Sequence, residues 1–280
     1  MKRPQELIRE IDTFHTIVTL TNVFEGIASM RIAQIKNQVL KSQSYFSELW
    51  QIYKQIHVSY LLDLKSTHDS QSARDLTLIV TSEGGFSGDI DSKLVDSMLE
   101  QYDRSRQDII VIGHHGATLI AQHGVPIKKY YKLPIKDTNL NLLPIINELP
   151  NYRTATVYYQ TYVSLMVQEV KQIELKKVVA NLSQDVISSK EYISEDTYIF
   201  EPNTAEVVEH MEASMMGIAL GQVILESKLA QYASRFRAMS VASKRAKESL
   251  DDVHTDYNRA KRAAKDERLK EIINGLKKVA

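Results

Sequence analysis

Two short segments of the chain carry residue types that could bind phosphate, attack a substrate or hold a metal ion. Residues 81–88 read TSEGGFSG between a strand-like apolar run and a helical pattern, which is where phosphate-binding turns lie. The segment lacks the lysine of the GxxxxGK[ST] pattern and the spacing of GxGxxG. Ser87 does not stand in a GxSxG nucleophile elbow, because Asp89 replaces the second glycine. These patterns favour a structural turn over a nucleotide site.

The second segment is the histidine pair His114 and His115, which follows another strand-like run. Adjacent side chains diverge, and neither an HExxH pattern nor a carboxylate partner stands nearby in the sequence. A metal site is therefore not favoured. Because no other arrangement suggests acid–base or nucleophilic chemistry, we expect a non-catalytic chain with no metal and no cofactor.

The composition is typical of a folded protein that is not built around a membrane span. Of the 280 residues, 43% are hydrophobic and 25% are charged, and 35 basic side chains offset 35 acidic ones. This balance leaves no global positive field to attract nucleic acid. No apolar run of about eighteen residues is present, so we expect no direct membrane insertion. Cysteine is absent, which excludes disulfides and fits a cytoplasmic location.

The last third of the chain predicts one long helix with a heptad repeat. Between residues 208 and 264, apolar or aromatic side chains recur at alternating spacings of three and four residues. Only Gln222 and Ser243 interrupt this pattern. Asn203, with a glutamate three residues later, resembles a capping box at the start of the helix. Such a repeat indicates a coiled coil. Its seam includes Leu229, Tyr232, Phe236, Met239, Leu250, Val253 and Tyr257.

A second helix with the same repeat is predicted from Pro4 to Tyr60, and polar residues interrupt its apolar stripe at Thr21, Glu25 and Ser42. Two seams of similar length at opposite ends of a chain predict an intramolecular antiparallel coiled coil. Two separate helices of a helical bundle are the alternative, although few other helical segments exist to complete such a bundle. The N-terminal seam includes Ile11, Phe14, Val18, Ile32 and Ile35.

The middle of the chain alternates strand-like and helical patterns, which predicts a small, mostly parallel sheet in a Rossmann-like α/β domain. The predicted strands are 75–80, 108–112, 128–131, 154–162 and 169–178, and the predicted helices are 91–102, 117–123 and 140–149. Residues 66–74 are polar and resemble a linker, and 181–196 are polar and irregular. The predicted domains are therefore an N-terminal helix (1–65), an α/β domain (66–200) and a C-terminal helix (201–280).

An ordered set of residues near the C-terminus comprises Ala238, Met239, the YNRA box at 257–260, Glu271 and Ile272. This set resembles the terminal signature of the gamma subunit of F-type ATP synthases, the rotating central stalk. The glycine-rich turn at 81–88 and the strand end at Gly113 are also similar to that family. The resemblance spans the whole chain and is strongest at the C-terminus.

The chain departs from the family pattern at its expected contacts with the catalytic head. The family's terminal Arg-Gln pair is here Lys261 and Arg262, and a nearby threonine is Asp266. The N-terminal Met-Val-Ala-Ala-Ala-Lys stretch is replaced by FEGIAS at 24–29, although Arg31 keeps the pattern. The resemblance implies that the residues in contact with the head are Lys261, Arg262, Asp266, Arg268, Lys270 and Arg31. From the sequence alone, the basic tail also fits a solvated helix face or weak contacts with nucleic acid.

The resemblance implies a rotor that couples ion-driven rotation of a membrane ring to conformational change in the catalytic head. The partners implied are the alpha and beta subunits, an epsilon-type subunit and the c-type membrane ring. The chain would then lie at the cytoplasmic face of the membrane as a peripheral part of the complex. Two alternatives stay open: a rotor of a specialised F-type-like motor not used for synthesis, and a coiled-coil tether with a ligand-binding α/β domain.

Overall fold

The computed structural model describes residues 2–63, 74–133, 142–175, 201 and 203–279. The chain up to Ala28 and from Arg235 onward forms one compact unit, and Ser29–Ser234 forms a second. The elements, in chain order, are α1 (Pro4–Asp63), β1 (Asp75–Val80), α2 (Ile90–Leu99), β2 (Gln107–Ile112), α3 (His114–Gln122), β3 (Lys129–Tyr131), α4 (Leu143–Ile146), a 3-10 turn (Leu149–Asn151), β4 (Ala155–Tyr162), β5 (Gln168–Glu174) and α5 (Thr204–Val279).

Both terminal helices begin with side chains that bind free backbone N–H groups. At the start of α5, Asn203 Oδ1 accepts a hydrogen bond from the backbone N–H of Glu206 at 2.9 Å. The Asn203 amide donates in turn to the Glu206 carboxylate at 2.8 Å. Near the start of α1, the Glu6 carboxylate accepts the backbone N–H of Arg3 at 3.2 Å. The N-cap predicted at Asn203 is therefore confirmed, and it supplies a partner for an N–H that the first turn leaves unpaired.

The second unit contains a five-stranded sheet in the order β3-β2-β1-β4-β5. The pairs β1–β2, β1–β4 and β2–β3 are parallel, whereas β4 and β5 form an antiparallel hairpin. The predicted mixed α/β domain with a mostly parallel sheet is thus confirmed. The hairpin exists because only a short turn separates its strands, which is too short for the crossover that a parallel pair requires.

Helices cover both faces of this sheet, as a mostly parallel sheet requires. On one face, alternate strand residues such as Leu78 and Ile110 pack with Leu220 and Ile224 of α5. On the other face, Ile79 and Val111 pack with α2 and α3. The strands are therefore apolar on both sides, which explains their continuous hydrophobic runs.

One predicted helix is shorter than the sequence pattern suggested. The prediction was a helix over 140–149, but α4 covers Leu143–Ile146 and a 3-10 turn follows at Leu149–Asn151. Pro144 is tolerated in the first turn, whereas Pro150 has no N–H to donate to the carbonyl of Ile146. Regular α-helical hydrogen bonding therefore cannot continue through Pro150.

Several predictions fall outside the described residues. They are the linker apart from its last residue, the irregular segment at 181–196, the end of the predicted strand at 176–178 and residues 140–141 of the predicted helix.

Candidate partner interface and glycine-rich turn

Residues 261–274 of α5 are exposed on all sides. Ala260 is buried, yet every residue of 261–274 is exposed. Helices of this length obtain most of their stability by packing one face against something else. This stretch, which we call the bare tip, is therefore a candidate surface for a partner.

Five of the six predicted head-contact residues lie on the bare tip. Lys261 places its ammonium group 5.6 Å from the centre of the Tyr257 ring, one helical turn earlier. The sixth residue, Arg31, belongs to the second unit, where it donates a hydrogen bond to Gln34 at 3.2 Å. The five residues that share the tip are Lys261, Arg262, Asp266, Arg268 and Lys270.

The bare tip also carries large apolar side chains that sequence reasoning did not single out as contacts. Leu269, Ile272 and Ile273 are 61%, 55% and 44% exposed. Positions 272 and 273 follow position 269 by three and four residues, so all three lie on one side of the helix. Exposed apolar side chains grouped in this way mark an interaction surface. Their spacing in the sequence was the available signal, because it continues the apolar repeat after the YNRA box.

In the first unit, the predicted seam positions face away from solvent. Ile11 of α1 and Met239 of α5 are buried, and Phe14, Val18, Phe236, Leu250, Val253 and Tyr257 are half-buried. Ser243, which interrupts the apolar repeat, is buried and donates a hydrogen bond to Asn22 Oδ1 of α1 at 2.8 Å. Further along, the rings of His15 and His254 meet edge to face, with their centres 6.2 Å apart.

In the second unit, another part of the same two helices shares an apolar cluster. Ile35 and Val39 of α1 pack with Leu225 and Leu229 of α5, and the half-buried neighbours are Ile32, Tyr162 and Tyr232. Because Tyr162 is the last residue of β4, this cluster joins the two helices to the sheet.

Residues of the glycine-rich turn, 81–88, bond to the start of α3. Three successive backbone N–H groups at the start of α3 are occupied: His114 donates to the Glu83 carboxylate, His115 to the carbonyl of Ser82, and Gly116 to the hydroxyl of Thr81. A side-chain carbon on Gly116 would lie 2.4 Å from Thr81 Cγ2, so only glycine permits this approach. The N-terminal amides that could cradle a phosphate at α3 are therefore already bonded.

The two histidines diverge as predicted, and a carboxylate that is distant in the sequence lies beside one of them. The ring of His114 lies edge to face against Tyr130, with centres 6.2 Å apart, whereas His115 Nδ1 lies 2.8 Å from a carboxylate oxygen of Asp91. Asp91 is 24 residues away in the sequence and fully buried. The fold of α2 against α3 creates this pair, and no spacing rule reveals it.

Ser82 completes a serine, aspartate and histidine cluster without the connections of a catalytic triad. The Ser82 hydroxyl and His115 Nδ1 both bond to Asp91, so His115 is not bonded to the serine as a base. A nucleophile needs that bond to lose its proton.

Among the described residues, no group of three or more histidine, aspartate or glutamate side chains could hold a metal ion. In the same part of the chain, no helix combines the length and the hydropathy that crossing a bilayer demands.

Comparisons of this chain with protein families, curated proteins and solved structures all find ATP synthase proteins along most of its length. The family model described as ATP synthase matches residues 4–279. The ATP synthase gamma chain of Clostridium pasteurianum is 24% identical over 277 residues, which cover 95% of each chain. Two solved chains share the fold with a TM-score of 0.58 each. One is from the central stalk and c-ring of the Tetrahymena thermophila mitochondrial ATP synthase (17% identity, 80% of this chain and 99% of that one). The other is from the Euglena gracilis mitochondrial ATP synthase (15% identity, 90% and 93%).

Two long terminal helices that flank a small α/β domain define the class of protein, and no catalytic centre is recognisable among its described residues. The chain belongs to the ATP synthase family, because the family model matches nearly all of it. Within that family, the relatives that it matches along nearly their full length are gamma chains.

Proposed function

We propose that the chain is the central-stalk rotor of an F-type ATP synthase and couples ion-driven rotation of a membrane ring to conformational change in the catalytic head. The family match over 4–279 carries this proposal. The bare tip of α5 supports it, because an exposed stretch of helix with grouped apolar and basic side chains suits insertion into a ring of other subunits.

The stalk is an antiparallel coiled coil of α1 and α5. In the first unit, His15 is near His254 and Asn22 bonds to Ser243, so the α5 number falls as the α1 number rises. Within the second unit, the two helices also pack on each other, since Ile35 and Val39 of α1 share a cluster with Leu225 and Leu229 of α5. Two helices are antiparallel when the residue numbers of one fall as those of the other rise. The buried side chains at steps of three and four residues support coiled-coil packing.

Rotation would act through unequal contacts. A coiled coil of two different helices lacks the symmetry of a ring of catalytic subunits, so each site in the ring meets a different face of the stalk. A contact that favours one conformation of a catalytic subunit shifts that subunit toward it by the difference in binding free energy. Turning the stalk exchanges those conformations among the sites.

In this scheme the chain is not itself an enzyme. The occupied N–H groups at the start of α3 support this point, as does the bonding of Ser82 to Asp91 rather than to a histidine. The alpha and beta subunits would supply the nucleotide sites. The c-type ring and an epsilon-type subunit would bind the α/β domain and the adjoining end of the coil, at the cytoplasmic face of the membrane. The proposed domain limits remain 1–65, 66–200 and 201–280.

Co-expression with the alpha and beta subunits of the same organism tests the proposal. We expect one stable complex that contains all three chains and hydrolyses ATP, whereas the purified chain alone neither hydrolyses ATP nor binds it tightly in calorimetry. A matched variant that ends before residue 261 lacks the bare tip and should assemble less stably. If the chain binds ATP tightly alone, or fails to join the alpha and beta subunits, the proposal is wrong.

A further inference from the structure

A chain of buried polar side chains runs from α3 through the end of the sheet to α5. Its centre is Asp91, the second residue of α2, which is fully buried. The Asp91 carboxylate lies 2.8 Å from His115 Nδ1 and accepts a hydrogen bond from Gln160 Nε2 at 2.9 Å. The backbone N–H and the hydroxyl of Ser82 also donate to it. A carboxylate buried in this way is costly unless charge and hydrogen bonds compensate for the lost water.

The amide of Gln160 connects Asp91 to α5. Its nitrogen is engaged by Asp91, and its oxygen accepts a hydrogen bond from the Ser227 hydroxyl at 2.6 Å. Gln231 Nε2 donates to the Ser227 oxygen at 3.0 Å. All of these residues belong to the second unit. Because an amide has one donor end and one acceptor end, the bond from the Gln160 nitrogen to the Asp91 carboxylate leaves the Gln160 oxygen to accept from Ser227 of α5.

We propose that His115 and Asp91 form a pH-sensitive latch that fastens α5 to the α/β domain more tightly under acid conditions than under alkaline ones. The latch consists of His115, Asp91, Gln160, Ser227 and Gln231. It goes beyond the rotor function, because it regulates how firmly the domain holds the long helix.

The position of His115 suits a sensor. Its side chain is about one-third exposed, so protons reach the ring from solvent, while Asp91 has no exposed surface. The hydrogen bond to Asp91 and the negative charge of Asp91 raise the pKa of His115 above its usual value, against the opposing effect of burial. The elements and the turn that carry the latch also bear other charged or titratable groups, among them Glu83, Asp89, Lys93, Asp96, His114, Tyr158, Tyr159, Glu226 and Lys228.

The direction of the effect follows from that raised pKa. Below the pKa of an unfolded histidine, about 6.5, the ring is charged in both states and the pair contributes its full stability. As the pH rises through the pKa of the folded state, the imidazolium loses its proton. The neutral ring can still donate from Nδ1, but the buried carboxylate then lacks its positive neighbour. The latch therefore weakens as the pH rises.

Hydrogen exchange of the full-length chain, corrected for intrinsic exchange rates, tests the latch. We expect the backbone N–H groups of residues 225–234 to lose protection by up to about tenfold between about pH 5.5 and about pH 8. His115→Lys keeps a positive charge throughout this range and should remove most of the pH dependence. His115→Gln should give low protection at every pH. His114→Gln is the matched control and should behave as the unmodified chain does.

A second measurement keeps the latch testable if a His115 variant folds poorly. An NMR titration of the ring of His115 should show its pKa fall toward about 6.5 in Asp91→Asn. The latch is overturned if the unmodified chain shows constant protection across this pH range, or if His115→Gln keeps its pH dependence. An unchanged His115 pKa in Asp91→Asn would also overturn it. None of these outcomes bears on assembly with the alpha and beta subunits, so the rotor function is tested separately.

Discussion

Residues 215–234 and residues 261–274 belong to the same helix, α5, yet they have opposite surroundings. No residue of 215–234 is exposed, and no residue of 261–274 is covered. The first stretch is apolar or small around most of its circumference, with alanines at 219, 230 and 233 that allow close packing. The second is charged around most of it and leaves only a narrow apolar group. The comparison shows that the stretch with the broad apolar surface is buried within the chain, whereas the stretch with the narrow one is left exposed.

The largest expected effect is on the folding of the buried stretch. Leu220→Ala should lower the free energy of unfolding by about 2–5 kcal/mol, because Leu220 is fully buried among β1, β2 and α4 residues of the core. Leu269→Ala, a matched change on the bare tip, should alter it by less than about 0.5 kcal/mol. Urea unfolding of both variants, followed by circular dichroism, compares them. Equal losses would contradict the distinction between the two stretches.

The next effect is on assembly and concerns the apolar group of the bare tip. Replacing Leu269, Ile272 and Ile273 together by Ser should leave the isolated chain folded. Binding to the alpha and beta subunits should weaken by at least about tenfold, because burying one such side chain contributes about 1.5–3 kcal/mol. Binding is measured by titrating the labelled chain with the alpha–beta complex. Unchanged affinity would mean that the tip stays in solvent within the complex.

A smaller effect is expected from the basic pair Lys261 and Arg262. The double change to Ala should uncouple ATP hydrolysis from ion pumping in the reconstituted complex, whereas either single change should do little. A partly desolvated charge-assisted hydrogen bond contributes roughly 1.5–3 kcal/mol, and an exposed pair about 0–1. Lys244→Ala with Arg245→Ala is a matched control, since that exposed pair lies where α5 carries buried seam residues. If hydrolysis and pumping stay normal in the first variant, Lys261 and Arg262 are only a solvated face.

The smallest expected effect is on the free energy of unfolding. It concerns an ion pair inside the second unit, in contrast to the charges of the bare tip. Arg153 hydrogen-bonds to Asp75 and lowers the pKa of its carboxyl, which also accepts the hydroxyl of Thr154. A lowered pKa means that the stabilisation is present above about pH 4 and is lost as the pH falls through the folded pKa. Asp75→Asn should cost about 1 kcal/mol or less at pH 7, since Arg153 is largely exposed. Denaturant unfolding at several pH values measures it, and the difference from the unmodified chain should vanish in acid.

Much of the architecture was predictable because it depends on local patterns. The strands β1, β2 and β4 follow from continuous apolar runs, and α5 begins where Asn203 predicts its cap. The end of α4 was missed because a pattern of apolar residues does not weigh the missing N–H of Pro150. The sequence also could not reveal the pair of Asp91 and His115, since two residues 24 positions apart meet only through the packing of α2 and α3. The head-contact residues remain predictions, because their partners are on other chains.

Direct observation of rotation is the sharpest test of the central claim. The chain has no cysteine, so Arg104→Cys, at an exposed position of the α/β domain, gives it a single site for a visible label. The complex with the alpha and beta subunits is fixed to a surface through the head, and ATP is added. The account predicts that the label turns in one direction and stops when ATP is removed. A complex that assembles and hydrolyses ATP while the label stays still would contradict it.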